Sequence, residues 1–122
     1  MLDHVTFGVR EIERAQAFYD AALLPLGIER LHVEDDCAGY GVGGKPFFWI
    51  GLKGVAQTGA HVAFATQDRT TVDRFYQAAL AAGGKDNGAP GLRPHYHENY
   101  YGAFVLDPDG HNIEAVCHRQ RV

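Results

Sequence analysis

Apolar and polar positions alternate from Leu2 to Val9, with Val5, Phe7 and Val9 on one face and His4, Thr6 and Gly8 on the other. A period of two in β-branched and aromatic residues predicts a strand with two unlike faces. From Glu11 to Leu24 the period lengthens. Ile12, Ala15, Phe18, Tyr19, Ala22 and Leu23 recur at helical spacing, with Glu11, Glu13, Arg14 and Asp20 facing outward. Pro25 and Gly27 then end the helix. Alternation returns over residues 28–34, and another strand is expected from Ala38 to Val42, with Gly43-Gly44 as a turn. Lys45 to Lys53 reads as a strongly apolar strand, and Gly54 to Gly59 as a connector.

The pattern then starts again. A strand from Ala60 presents Val62 and Phe64 on one face and His61, Ala63 and Ala65 on the other. Thr70 and Asp73 read as a capping box for a second helix, whose buried stripe is Val72, Phe75, Tyr76, Ala79 and Leu80. Gly83-Gly84 ends it, and residues 85–98, with two prolines, read as loop with a short strand. Tyr100 to Leu106 and Asn112 to His118 read as strands joined through Asp107-Pro108-Asp109-Gly110, the residues a type I turn prefers.

The two halves are copies. In register, His4 falls on His61, Val5 on Val62, Phe7 on Phe64, Phe18 on Phe75, Tyr19 on Tyr76, Leu23 on Leu80 and Gly27 on Gly84, all at one offset. A constant offset marks two copies of one supersecondary unit. The reading is a single domain over residues 1–122, with module one about 1–57 and module two about 58–122. Its class is α+β: two βαβββ modules forming a curved, cup-shaped mixed sheet with helices outside.

Composition narrows the function. A formal net charge of −4 argues against a nucleic-acid partner. No apolar run approaches a membrane span of about 20 residues, and the N-terminus lacks a signal-peptide pattern. Cys37 and Cys117 are too few for a disulfide framework, which fits free thiols in a reducing cytoplasm. The expectation is a cytoplasmic protein with no nucleic-acid or membrane partner.

Candidate chemistry lies on the small-residue faces. Thr6, Gly8, Ala63 and Ala65 cannot fill a core, so they leave room beside His4 and His61. Two histidines at equivalent places in a repeat point to a shared metal site. In the last strand, Glu114 lies between Ile113 and Ala115. A carboxylate there either meets solvent or is paired with a cation, since burying it alone is costly. The second reading gives two histidines and one carboxylate, a set that leaves coordination positions open.

These residues resemble the vicinal oxygen chelate superfamily, which includes glyoxalase I, extradiol ring-cleaving dioxygenases, fosfomycin-resistance enzymes and bleomycin-binding proteins. The resemblance rests on His4-Val-Thr-Phe7, on Phe18-Tyr-Asp-Ala-Ala-Leu23, on His61-Val-Ala-Phe64 and on Phe104-Val-Leu-Asp-Pro-Asp-Gly-His-Asn-Ile-Glu114. It implies His4, His61 and Glu114 as ligands of one divalent metal ion, with Fe, Zn, Ni or Mn all compatible. It also implies a homodimer in which His4 of one chain meets His61 and Glu114 of another. The glyoxalase I pattern has a fourth ligand, a glutamate, where Trp49 stands here.

The implied chemistry is chelation of a small substrate through vicinal oxygens. Lyase or isomerase activity of the lactoylglutathione lyase kind, Fe(II)-dependent ring cleavage, and non-catalytic binding of a small molecule or antibiotic all remain open. Proton movers are sought among His95, His97, Tyr100 and Tyr101, on a loop that reads equally as polar surface with aromatic anchors. Thr6, Phe47, Trp49 and Tyr100 are the expected pocket residues, with His97, Tyr101 and His95 as catalytic candidates.

Overall fold

The computed structural model describes residues 1–52 and 58–120. Its elements run β1 (Val5–Gly8), α1 (Ile12–Leu23), β2 (Glu29–Glu34), β3 (Cys37–Val42), β4 (Lys45–Gly51), β5 (His61–Ala65), α2 (Arg69–Ala81), β6 (Lys85–Leu92), β7 (Tyr101–Leu106) and β8 (Asn112–Cys117). Each half is thus a βαβββ unit. The connector and the boundary expected near residues 57 and 58 fall largely on 53–57, outside the described residues.

Each unit builds a four-stranded mixed sheet, in the order β1-β4-β3-β2 and β5-β8-β7-β6. These two four-stranded sheets are the paired βαβββ modules expected from the sequence. In each, the first and last strands pair in parallel, β1 with β4 and β5 with β8. The other neighbours are antiparallel. No helix among the described residues is long and apolar enough to cross a membrane.

The register fixes which side chains share the small-residue face. In module one Thr6, Trp49, Gly39 and His32 form one row across four strands. The equivalent row in module two is Ala63, Glu114, Phe104 and Gly88. The opposite faces meet the helices in one continuous core that includes Phe7, Phe18, Tyr19, Phe48, Phe64 and Phe75. Phe48 of module one packs edge-on against Phe64 of module two at 5.5 Å. Aromatic pairs in this geometry add to plain area burial.

Local details depart from the sequence pattern in physical ways. The α2 cap is Asp68, whose Oδ1 accepts from Thr71 N–H at 2.7 Å and Thr71 Oγ1 at 2.9 Å. Thr70 already lies inside the helix, so the expected Thr70–Asp73 capping box is replaced by an Asp68 cap. Pro25 sits in a short 3-10 turn, Leu24–Leu26, that prolongs α1 before Gly27 closes it at φ 76°. β6 is a full eight-residue strand interrupted by register shifts on either side of Gly88. Those irregularities hide its alternation in the sequence.

The Asp107–Gly110 turn forms as expected, with Gly110 N–H donating to Asp107 O at 3.0 Å. It also clasps the modules together. Asp107 Oδ1 accepts from the backbone N–H of Asp109 and His111 at 2.9 and 2.8 Å. Its other oxygen accepts from Tyr19 OH on α1. Asp109 Oδ1 accepts from Arg10 N–H at 3.0 Å. His111 is fully buried and donates from Nε2 to Gly8 O of β1 at 2.9 Å, while its Nδ1 accepts from Ala60 N–H at 3.3 Å. One imidazole therefore satisfies a backbone group from each module.

Candidate metal centre

Glu114 is 1% exposed, in the middle of β8. Its carboxylate is fully engaged: Oε1 lies 2.8 Å from His61 Nε2, and Oε2 accepts from Tyr100 OH. The parallel register brings His61 there, because β5 lies beside β8 with Ala63 opposite Glu114. Gly102 on β7 makes the approach of Tyr100 possible. A Cβ at Gly102 would stand 3.2 Å from the Tyr100 ring and 3.5 Å from Glu114 Oε2. Burial, and then the Glu114 carboxylate, push the Tyr100 phenol above its usual pKa.

The histidine of module one has a different partner. His4 Nδ1 donates to Asp3 Oδ1 at 2.8 Å, and Lys45 Nζ donates to Asp3 Oδ2 at 3.0 Å. The hydrogen bond from His4, and then Lys45, hold the Asp3 carboxyl below its usual range. A proton on Nδ1 leaves a lone pair on Nε2, the arrangement in which a carboxylate-oriented imidazole binds a metal. His4 borders a cavity of about 300 Å³ with Thr6, Lys45 and Trp49. It also borders a groove of about 400 Å³ with Phe47, Val62 and Ala63.

His61 and Glu114 stand together, but His4 does not join them within one chain. Among the described residues, the group of three metal-type donors with ligand atoms mutually within 4.8 Å is Glu34, Asp36 and Cys37. The internal duplication alone therefore does not assemble the three-ligand set: His4 stands just before β1 of one sheet, and His61 opens β5 of the other.

The donor chemistry of module two fits a divalent cation. Imidazole nitrogen and carboxylate oxygen are donors that such a cation takes, and His61 Nε2 and Glu114 Oε1 meet at 2.8 Å on the open face of the sheet. Tyr100 on the far oxygen is the outer hydrogen bond that metal-binding carboxylates carry.

The loop before β7 gathers its rings around Tyr100. Tyr96 and His118 each lie 5.1 Å from the Tyr100 ring. His97 contacts His118 at 5.9 Å, and His95 contacts Tyr96 at 4.1 Å. His95 and His97 thus belong to the rim of this cluster through ring contacts. Tyr101 faces the other way, donating to Asp73 of α2 at 2.6 Å beneath the Arg69 guanidinium. Sequence reasoning missed His111 and the Asp3–His4 pair. The adjacency of Asp3 and His4 was the available signal for the second; a buried role for His111 had none beyond its place in the turn.

Residues 1–115 match the Glyoxalase/Bleomycin resistance protein/Dioxygenase superfamily. A glyoxalase/bleomycin resistance protein from Albidiferax ferrireducens T118 is 32% identical, with a TM-score of 0.83 over 98% of this chain and 99% of that one. A glyoxalase I mutant from Zea mays is 27% identical, with a TM-score of 0.69 over 94% of this chain and 46% of that chain. The fosfomycin resistance protein FosX from Mesorhizobium loti shares the fold at 21% identity, with a TM-score of 0.69 over 96% of this chain and 91% of that one. No curated protein matches the chain.

Proposed function

The chain belongs to the Glyoxalase/Bleomycin resistance protein/Dioxygenase superfamily, and from that premise we propose a metal-dependent enzyme of the glyoxalase/dioxygenase type. It takes a small substrate with two vicinal oxygens. The observation that carries this reading is the buried Glu114 carboxylate, with His61 Nε2 on one oxygen and Tyr100 OH on the other. His61 and Glu114 would hold the cation, with His4 of a second chain completing the set in a homodimer. A divalent ion there supplies Lewis-acid polarisation of two adjacent substrate oxygens.

The chain's own groups have separable tasks. Tyr100 keeps its proton, since burial and Glu114 raise its pKa, and so it fixes Glu114 Oε2 and leaves Oε1 to face the cation. Asp3 orients His4 by taking the Nδ1 proton. Thr6, Phe47 and Trp49 wall the substrate space beside His4. His97, at the rim beside His118, carries protons between solvent and the centre, with His95 further out. Tyr101, turned toward α2, takes no part.

Elemental analysis of purified protein tests the proposal, repeated on His61→Ala and Glu114→Ala. The expected result is that each variant holds one divalent ion per chain fewer than the wild type. Bound iron with oxygen uptake then assigns ring cleavage; nickel, zinc or manganese assigns redox-neutral chemistry. Ion content unchanged in both variants overturns the proposal. Small-molecule binding indifferent to chelators makes the chain a sequestering protein instead.

A further inference from the structure

The tip of the β2–β3 hairpin carries chemistry that the His61–Glu114 centre does not use. Glu34 and Cys37 stand directly opposite each other across the hairpin, and His32 lies on the same face one pair further along, opposite Gly39. Cys37 Sγ is 3.8 Å from Glu34 Oε2, and His32 Nε2 is 2.8 Å from that same oxygen. Asp36, in the turn, brings a second carboxylate to within 4.8 Å of both the Glu34 and Cys37 donor atoms.

The surroundings leave space for an occupant. Across the sheet from Cys37 the row continues through Gly51 to Gly8, neither of which has a side chain. Trp49 walls this bare end of the sheet. The resulting cavity, about 240 Å³, is lined by Thr6, Glu34, Asp36, Cys37 and Trp49. His4 lies on the other side of Trp49, against a different cavity.

We propose that Glu34, Asp36 and Cys37 form a second divalent-cation site, for an ion of the zinc class, with His32 orienting Glu34. The proposal stands independently of the His61–Glu114 reading. The Cys37 thiol donates to Glu34 here, and a cation takes the place of that proton between sulfur and carboxylate. Sulfur at about 2.3 Å and oxygen at about 2.0 Å from a tetrahedral ion stand about 3.5 Å apart. The Cys37–Glu34 spacing lies within a few tenths of an ångström of that edge. The thiolate selects borderline ions over magnesium or calcium, which take oxygen alone. Binding expels the thiol proton to solvent, and the fourth position opens on the cavity for water or a small ligand.

Cobalt(II) titration of the chelator-treated full chain tests this, because a thiolate bound to cobalt absorbs in the near ultraviolet and the His61–Glu114 centre has no sulfur. The expected result is a saturable thiolate-to-cobalt band, abolished in Cys37→Ser and weakened at least ~10-fold in affinity in Glu34→Gln. The band persists in Cys117→Ser and in a His61→Ala/Glu114→Ala double variant. Zinc(II) likewise shields the Cys37 thiol from alkylation in the wild type and fails to do so in Glu34→Gln. Absence of the band, or its survival in Cys37→Ser, overturns the proposal. The emission of Trp49, the one tryptophan, reports that each variant is folded.

Discussion

Trp49 holds in module one the register position that Glu114 holds in module two. Each pairs in parallel with the residue two positions after the module's histidine, Thr6 or Ala63. Each also faces a β-strand neighbour across an antiparallel pair, Gly39 or Phe104. One half therefore presents imidazole and carboxylate, and the other imidazole and indole. Indole cannot ligate a hard cation, so under the proposed scheme each centre draws on unlike halves.

The indole rests on Gly39, where a Cβ would stand 2.8 Å from the ring. Gly39→Ala forces Trp49 off the sheet, at a cost of about 1–3 kcal/mol for overpacking. Denaturant titration followed by the emission of the sole tryptophan reads both effects. Unchanged stability together with unchanged emission contradicts this packing.

Tyr100→Phe removes the donor to Glu114 Oε2. A buried carboxylate losing one partner costs about 1–3 kcal/mol. Losing the outer hydrogen bond of a ligand lowers metal affinity about 10–100-fold. Competition with a chelating dye measures the affinity. Tyr101→Phe serves as control, since it breaks the bond to Asp73, away from Glu114, and leaves metal affinity unchanged.

Alkaline pH weakens the fold. Burial raises the pKa values of Tyr19, Tyr40 and Tyr100, with Asp107, Asp20 and Glu114 respectively adding to it. Their protonated phenols are retained in the folded chain while unfolded tyrosines ionise near pH 10. Stability is therefore intact below about pH 10 and falls as pH rises above it toward the folded values. Urea unfolding measured across that range shows the decline, and Tyr19→Phe makes it shallower.

His111→Ala breaks the clasp between modules. It removes one partner each from Gly8 C=O and Ala60 N–H and leaves a cavity against Phe7, whose ring lies 4.8 Å from the imidazole. The expected loss is about 3 kcal/mol or more. Calorimetry shows a lower Tm, and a Tm equal to wild type contradicts the clasp.

The sequence carried the duplication plainly, because Val5, Phe7, Val62 and Phe64 repeat one alternation at one spacing and the helices repeat their apolar stripes. It carried the turn after β7 through proline and glycine chemistry. The cap of α2 was misplaced because Asp68 and Thr70 are both good caps, and only the backbone at Asp68 decides between them. The equivalence of Trp49 with Glu114 came from the family resemblance, since the constant offset that relates the first strands and helices does not superpose these two positions. The partnership of Tyr100 with Glu114 did not. It depends on Gly102 leaving room and on the 93–100 loop folding over the sheet, and neither has a periodic signature. The split of Tyr100 and Tyr101 onto opposite faces follows from strand alternation once β7 is placed, but which of them meets Glu114 requires the register.

The most direct test mixes two inactive variants. His4→Ala lacks the module-one imidazole and Glu114→Ala lacks the carboxylate, so each alone binds no ion at the proposed centre. Subunit exchange between them makes dimers in which His4 of one chain meets intact His61 and Glu114 of the other. Measured as tightly bound metal in a Cys37→Ser background, the account predicts that the mixture regains binding that neither parent has. Full binding by either parent, or none in a mixture verified to contain mixed dimers, contradicts it.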